Sequence, residues 1–293
     1  MPRLLAATLA LALLAALAPR ARATSIDCPE TVAEGTAFVA TVRAPADTDS
    51  ITIEWLGETL RPTLATTAKA RVARVLLGLG MHERLEGDRH SLRVRTWRDG
   101  IEMLMVREVQ REPRAYPEQH LTVESKYSEL SPADSARAER ERLRVRETLA
   151  RVSPAAEWPL PLGRPVAGEK SSDFGLRRFF NGEAKSPHSG LDLKAAAGTP
   201  VAACADGVVA LAEEHFYAGN SVYLDHGDGL FTLYFHLSAI DVKPGQRVAR
   251  GEIIGRAGAT GRVTGPHVHL GVSAQGQLVD PELLLAPAEA GKP

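Results

Sequence analysis

Short runs of alternating apolar and polar residues, separated by turn-forming residues, recur along most of the chain and constrain its fold more than any other feature. Side chains alternate between the two faces of a β-strand, so each run fits a strand with one buried face. In the first half the runs cover residues 36–42, 50–55 and 90–97, with turn residues such as Gly100 between runs. The pattern predicts a β-sandwich of immunoglobulin-like type over residues 24–112.

A second group of short runs fills the C-terminal part of the chain, which is richer in glycine. These runs cover residues 207–211, 221–224, 230–235 and 252–255. The segment Gly227–Gly229 lies between two of them and is a strong hairpin signal, because glycine and aspartate accept the left-handed turn conformation. We therefore expect a mainly antiparallel β domain over residues 165–285, followed by a tail over 286–293.

The segment between the two groups, residues 113–164, is predicted to be a helical and proline-rich linker. Ser131 can cap a helix that begins at Pro132, with Asp134 three residues after the cap. The residues that follow are mostly charged, which favours a solvated helix between two domains. A membrane-binding helix is the weaker alternative, because glutamates dilute its basic charge.

Residues 1–23 have the pattern of a secretory signal peptide. Arg3 precedes an apolar run over residues 4–18, and small residues follow at Ala21 and Ala23. The run is short for a membrane span, which needs about 20 residues, although an uncleaved N-terminal anchor remains the alternative. We expect an exported protein, periplasmic or secreted, with no stable membrane span after cleavage.

Charge and cysteine content exclude several classes of protein. With 35 basic and 36 acidic residues the formal net charge is -1, which argues against nucleic acid as the main partner. Cys28 and Cys204 form no CxxC motif, so the sequence contains neither a zinc finger nor a redox pair. At most one disulfide can form, and the sequence leaves open whether the two cysteines pair.

Six of the nine histidines lie between positions 188 and 269, which suggests a shared role. His267 and His269 are two residues apart in an alternating run, so their rings face the same side of a strand. His188 and Asp192 add a nitrogen and an oxygen donor. Asp192 lies between two leucines, where a carboxylate is costly to bury unless an ion pair or a metal compensates its charge.

Catalytic zinc sites use three protein ligands and a water molecule. His188, Asp192 and one histidine of the 267/269 pair would supply the ligands, and His236 with the other would transfer protons. The spacing alone leaves open which histidine of the pair is the ligand. Structural histidines scattered through the domain are the alternative interpretation.

Several ordered motifs in this part of the chain resemble the lysostaphin/LytM-type zinc endopeptidases. They cover residues 172–178, 186–192, 198–201, 220–227, 233–238 and 258–269. The resemblance implies a peptidase domain of the duplicated hybrid-motif type over residues 165–285. It also implies that His188, Asp192 and His269 bind Zn²⁺ and that His236 and His267 are catalytic.

The resemblance further implies hydrolysis of peptide bridges or stem peptides of bacterial peptidoglycan. In such a reaction the metal activates water, one histidine carries its proton and the other stabilises the oxyanion. A non-enzymatic regulator that activates another peptidoglycan hydrolase is the alternative, although all five motif positions are kept here. The sequence also leaves open wall binding by the β-sandwich and restraint of the zinc cleft by the N-terminal domain.

The remaining candidate residues carry weaker expectations. We interpret His226 as structural and Cys204 as a buried, unreactive thiol, and His215 as a possible lining residue of the cleft. Before the first ligand, Arg177, Arg178 and Asn181 are equally suited to substrate contact and to a surface loop. The sequence assigns no substrate-binding residue, no bond specificity and no oligomeric state.

Overall fold

The structure is a computed structural model that describes residues 23–81, 87–121, 130–154, 160–184 and 186–287. All but the last residue of the predicted signal peptide lies outside the described residues, as does most of the predicted C-terminal tail. The described part is mainly β, with many short strands and a single α-helix. This confirms the predicted fold class at that level. Within the described ranges, no helix is both long and apolar enough to cross a membrane.

The N-terminal part folds as two sheets. The first has the order β1 (Ser25–Asp27), β3 (Thr36–Ala44), β7 (Arg71–Leu79), β6 (Leu64–Thr66). The second has the order β2 (Thr31–Ala33), β9 (Ile101–Glu112), β8 (Arg89–Arg98), β4 (Ser50–Trp55), β5 (Glu58–Leu60). Neighbouring strands are antiparallel except β2 and β9, which run parallel. The three predicted strand runs correspond to β3, β4 and β8.

One apolar core lies between these two sheets and draws residues from both. Trp55, at the end of β4, is 2% exposed and lies near the centre of this core. Its indole N–H donates to the carbonyl of Gly78 at 2.8 Å, and the Phe38 ring meets it edge-on at 5.3 Å. We call this two-sheet unit the sandwich.

The C-terminal part is built on an eight-stranded sheet. Its order is β11 (Lys170–Ser172), β14 (Leu191–Lys194), β22 (His267–Ala274), β18 (Leu230–Leu237), β17 (Gly219–Asp225), β16 (Gly207–His215), β20 (Arg247–Val248), and β23 (Gln277–Val279) also pairs with β22. A second sheet has the order β15 (Pro200–Ala202), β21 (Ile253–Arg256), β19 (Ala239–Ile240). The predicted hairpin at Gly227–Gly229 joins β17 to β18, and a 3-10 turn lies at Pro281–Leu283.

The large sheet has two differently used faces. Leu193 and Val268 point into the apolar core that fills the space behind the sheet. The residues beside them in sequence, Asp192 and His269, alternate to the opposite face. This opposite face therefore carries the polar residues that the sequence singled out.

A single helix, α1 (Pro132–Leu149), packs on that same face. Ser131 caps it as predicted, and its hydroxyl oxygen accepts from the Asp134 N–H. The helix is not a free, solvated connection, however. Leu149 is buried in a cluster with Leu211 and Tyr223 of the sheet, because the apolar side chains of the last turns cover an otherwise exposed apolar surface.

The predicted linker also contributes strands and core residues to the C-terminal part. β10 (Glu118–Leu121) pairs in parallel with β12 (Arg177–Phe180), which in turn pairs with β13 (Glu183–Ala184). Leu162 is fully buried in the C-terminal core and bridges to Leu285. Both ends of residues 113–164 thus belong to the packed structure rather than to a spacer.

The sandwich and the C-terminal part are in direct contact. Leu76 of β7 is buried within the C-terminal core. The Asp280 N–H donates to the carbonyl of Gly35 at 2.7 Å, and the Asp280 carboxylate pairs with Arg114 at 3.0 Å. These contacts fix the orientation of the sandwich relative to the large sheet.

Candidate metal centre

Three adjacent strands bring the candidate site together. Asp192 on β14 lies directly opposite His269 on β22, and Phe235 on β18 lies opposite the other side of His269. Because directly opposed residues share a face of the sheet, all three side chains project away from the core. His188 precedes β14, and its ring is buried beside Asp192.

Three donor atoms form a compact triangle. The distance from His188 Nε2 to Asp192 Oδ1 is 3.0 Å, and that from His188 Nε2 to His269 Nδ1 is 2.9 Å. The third side, from His269 Nδ1 to Asp192 Oδ1, measures 2.9 Å. All three side chains are buried, so water does not separate the donors.

Hydrogen bonds cannot satisfy this triangle when both rings are neutral. His188 Nδ1 lies 2.7 Å from the carbonyl of Asp173, which can only accept, so the ring proton lies there and Nε2 keeps a lone pair. Burial lowers the pKa of His269 to about 4, so its ring is neutral at pH 7. At most one proton, on His269, is then available for three close contacts.

The donor set fits a zinc ion. Zinc binds nitrogen and oxygen at about 2.0–2.2 Å in tetrahedral sites, which places neighbouring ligand atoms roughly 3.3 Å apart. The observed triangle is close to this size, and three ligands leave the fourth position for a water molecule or substrate. Burial alone would raise the pKa of Asp192, and hydrogen bonds from the His188 and His269 rings would lower it. Because neutral rings lack the protons for both bonds, a cation at the centre of the triangle would keep the residue a carboxylate.

The His269 ring is held from two sides. A Cβ atom at Gly190 would lie 2.5 Å from Nε2 of His269, so only glycine leaves room for the ring. On its other side the Phe235 ring stacks nearly parallel, with centroids 5.0 Å apart. Sequence reasoning assigned no role to either residue, although Gly190 lies within the motif at residues 186–192.

His236 and His267 lie next to the triangle as a pair, with ring centroids 4.9 Å apart. Nδ1 of His236 is 2.9 Å from the carbonyl of Thr260, and Nδ1 of His267 is 2.9 Å from that of Gly265. Each carbonyl fixes the ring proton on Nδ1, so each neutral ring keeps a lone pair on Nε2. His267 Nε2 is 3.6 Å from Asp192 Oδ1.

A β-bulge sets the direction of the His236 ring. Alternation alone would send Phe235 and His236 to opposite faces of β18. The pairing with β17 shifts between Asn220 and Val222, and His236 adopts φ 64°, in the left-handed region. The extra residue turns His236 to the face that carries the triangle, and burial then lowers its pKa to about 3.

The candidate residues with weaker expectations lie in different surroundings. Arg178 is half-buried and contacts Asp192, whereas Arg177 is exposed and pairs with Glu118, and Asn181 lies in an exposed turn.

His226 bonds the carbonyl of Asp206 and the hydroxyl of Thr232, away from the triangle. Cys28 and Cys204 are both free thiols.

A cavity of about 420 Å³ lies between α1 and the sheet face and reaches the triangle. Val145 lines it from the helix, Phe235 lines it from the sheet, and Tyr217 lines it from the turn between β16 and β17. His215, the last residue of β16, also lines it, as the sequence predicted. The cavity places an apolar surface beside His269.

Comparison with known proteins finds relatives of this part of the chain. Residues 186–281 match the family model described as Peptidase family M23, and the range includes all five residues of the triangle and histidine pair. The chain is 47% identical over 111 residues to the peptidoglycan DD-endopeptidase ShyA of Vibrio cholerae, across 38% of this chain and 26% of ShyA. It is 43% identical over 117 residues to the DD-carboxypeptidase/endopeptidase Mpg of Neisseria meningitidis, across 40% of this chain and 27% of Mpg.

The chain thus spans about a quarter of the length of these curated relatives. A wider likeness is found to a crystal structure from Pseudomonas aeruginosa that is provisionally assigned as a peptidase M23. It has 29% sequence identity and a TM-score of 0.62, and the match covers 86% of this chain and 94% of that one. The likeness therefore extends beyond residues 186–281 into the sandwich.

Proposed function

We propose, from the premise that residues 186–281 form a Peptidase family M23 domain, that the chain is a zinc-dependent endopeptidase acting on bacterial peptidoglycan. Its substrates would be peptide cross-links or stem peptides of that polymer. The observation that carries the proposal is the buried triangle of His188, Asp192 and His269, whose lone pairs converge without enough protons to satisfy them.

In this proposal His188 Nε2, Asp192 Oδ1 and His269 Nδ1 hold Zn²⁺. When bound, the ion polarises the scissile carbonyl and lowers the pKa of a water molecule toward 7. One Nε2 atom of the pair His236 and His267 accepts a proton from the attacking water and later returns it to the leaving amine. The other ring, when protonated at Nε2, donates a hydrogen bond to the developing oxyanion.

The relatives support the choice of substrate and location. ShyA is named a peptidoglycan DD-endopeptidase, and Mpg carries a related name. An enzyme of that kind must lie outside the cytoplasm to reach the wall, in agreement with the signal peptide predicted for residues 1–23. We propose a periplasmic or secreted location on this basis.

The sandwich is proposed to be an immunoglobulin-like domain over residues 24–112, and the large sheet a duplicated hybrid motif over 165–285. The sheet orders β1-β3-β7-β6 and β2-β9-β8-β4-β5 support the first assignment, because immunoglobulin domains pair their strands in this way. Immunoglobulin domains also carry a buried tryptophan on strand C, the strand to which β4 corresponds, and Trp55 of β4 is buried here.

A regulator that activates another hydrolase is the second candidate function. Such a protein needs no complete donor set, so the retained triangle favours the enzyme. Restraint of this protein's own zinc cleft is a separate possibility. The position of α1 along the cavity that reaches His269 is the observation that favours such restraint. A restrained enzyme would show the same donor set and lower activity.

The direct test is mass spectrometry of soluble fragments released from purified sacculi by the mature protein. We expect fragments in the presence of zinc, none with a chelator, and none with His267→Ala. His120→Gln is the matched control, because His120 is an exposed histidine outside the site. Absence of fragments from several wall types would contradict the enzyme and favour the regulator.

A further inference from the structure

Arg178 is a charged side chain in an unusual place. Its side chain is only 19% exposed, and burial lowers the pKa of its guanidinium. A buried charge is costly unless partners compensate it. Nη2 of Arg178 lies 3.3 Å from Asp192 Oδ2 and 3.4 Å from the Ser172 hydroxyl, which supply that compensation.

The two oxygens of Asp192 consequently have different surroundings. Oδ1 lies in the triangle, close to the ring nitrogens of His188 and His269. Oδ2 points away from the triangle, toward Arg178. The carboxylate is divided between one oxygen for the candidate metal and one for the guanidinium.

Arg178 is itself held by a residue from outside the matched domain. Its Nε donates to Oε1 of Gln119 at 3.2 Å, and Gln119 on β10 pairs directly with Arg178 on β12. Both residues precede the range 186–281 that the family model matches. The strand that follows the sandwich therefore reaches the candidate metal centre through two side chains.

We propose that Arg178 is a positioning residue for Asp192, and that Gln119 fixes the guanidinium in turn. This inference rests on the proposed function, since it concerns how the zinc ligand is oriented. With Oδ2 bound to Arg178, Asp192 presents Oδ1 alone to the metal in a fixed direction. Without that contact the carboxylate is free to rotate, and a buried oxygen is left unpaired.

Two possible roles of Arg178 would change the zinc affinity in opposite directions. A guanidinium near a divalent cation repels it, so a purely electrostatic role would make zinc bind more tightly once Arg178 is neutralised. Partners that orient a metal ligand act the other way, and their loss typically weakens metal binding by about 10–100-fold. The sign of the change in zinc affinity separates the two roles.

The experiment measures the zinc dissociation constant by competition with a chromophoric chelator, together with the melting temperature of the metal-free protein. The variants are Arg178→Gln, Arg178→Lys and Gln119→Ala in the full chain. Arg177→Gln is the matched control, because Arg177 is the adjacent residue on β12 but is exposed and pairs with Glu118.

We expect Arg178→Gln to weaken zinc binding about 10–100-fold and Gln119→Ala to weaken it less. Arg178→Lys should recover much of the loss, since it restores the charge near Oδ2, and Arg177→Gln should leave the affinity unchanged. A merely structural role would lower the metal-free melting temperature without this order of zinc affinities. If Arg178→Gln does not fold, Gln119→Ala and Arg178→Lys carry the same comparison.

Unchanged or tighter zinc binding in folded Arg178→Gln would overturn the inference, as would a lysine variant no better than glutamine. Failure of the unaltered protein to bind zinc at all would instead overturn the proposed function, and this inference with it. The two failures are therefore distinguishable in one titration.

Discussion

The sandwich and the large C-terminal sheet are both mainly antiparallel β structures with apolar cores, yet they bury different polar groups. Among the described residues up to 112, the buried polar side chains are Thr24, Thr48 and Thr96. The C-terminal part buries histidine and aspartate side chains instead, namely His188, Asp192, His215, His226, His236, His269 and Asp280. A sandwich core needs no such groups, so their burial requires compensation of another kind.

Within the C-terminal part, two buried networks show what that compensation is. His226 Nδ1 donates to the carbonyl of Asp206, and its Nε2 accepts from the hydroxyl of Thr232. The Thr232 oxygen in turn lies 2.9 Å from the Tyr234 hydroxyl, so each polar atom of His226 and Thr232 has a partner. The triangle is the opposite case, because its lone pairs face one another. Burial of a histidine alone therefore does not mark a functional site. Convergence of several lone pairs that lack hydrogen-bond donors does.

Removal of the central carboxylate should have the largest effect. We expect Asp192→Asn to abolish hydrolysis and zinc binding, because the amide supplies no charged ligand to the two imidazoles. At zinc concentrations about 100 times the dissociation constant, the unaltered protein should gain roughly 2.7 kcal/mol of stability, and the variant should gain none. Thermal melting with and without zinc measures this, and a retained zinc shift would contradict the assignment of Asp192.

The second test compares two histidines that are both buried. His236→Asn should lower activity by about 10²–10⁴-fold with little change in zinc affinity, because asparagine tolerates the left-handed φ but supplies no base. His226→Asn should affect stability and leave the activity of the folded protein largely intact. The measurement is the rate of fragment release, normalised to the amount of folded protein. Equal rates for the two variants would contradict a catalytic role that is specific to His236.

The third test is placed in the sandwich. Trp55→Ala should lower the free energy of unfolding by about 3–5 kcal/mol, since it creates a cavity and leaves the Gly78 carbonyl without its donor. Met103→Ala is the matched control, because Met103 is 49% exposed and should change stability by about 0.5 kcal/mol at most. Urea unfolding provides the measurement, and loss of zinc affinity in folded Trp55→Ala would show that the two regions are coupled.

The smallest effect concerns the thiols, one in each region. Burial raises the pKa of Cys204 to about 12, so at pH 8 it is almost entirely protonated as well as inaccessible. Burial also raises the pKa of Cys28, but that residue is only partly buried. A chromogenic thiol reagent at pH 8 should therefore label one thiol per folded chain and two after denaturation. Rapid labelling of Cys204 in the folded protein would show that its core opens.

Much of the fold follows from consecutive residues. Alternation in residues 50–55 and the short, almost wholly apolar run at 230–235 both indicate strands, because these patterns are local to the chain. The cap at Ser131 and the hairpin at Gly227–Gly229 are equally local, and the structure has both. The motif spacing also selected the five residues that the structure brings together, although their individual roles stay predictions.

Other features depended on which strands become neighbours. Spacing left His267 and His269 equivalent, but His269 pairs opposite Asp192 while His267 pairs opposite Lys194, so only His269 completes the triangle. The bulge that turns His236 exists because β18 has one more residue than β17 between their shared pairs. Neither the partner of His269 nor the bulge at His236 can be predicted from the sequence of one strand, since register is set by the pairing of two strands.

The contact of Gln119 with Arg178 is the clearest case of what only tertiary structure decides. The two residues are 59 positions apart. Arg178 lies in the motif at residues 172–178, but none of the motifs includes Gln119. By itself the sequence determined the strands, the helix start and a set of candidate metal-binding side chains, because these depend on short-range periodicity and residue chemistry. The tertiary structure decided which oxygen of Asp192 faces the triangle, because that depends on a charge brought in by a distant strand.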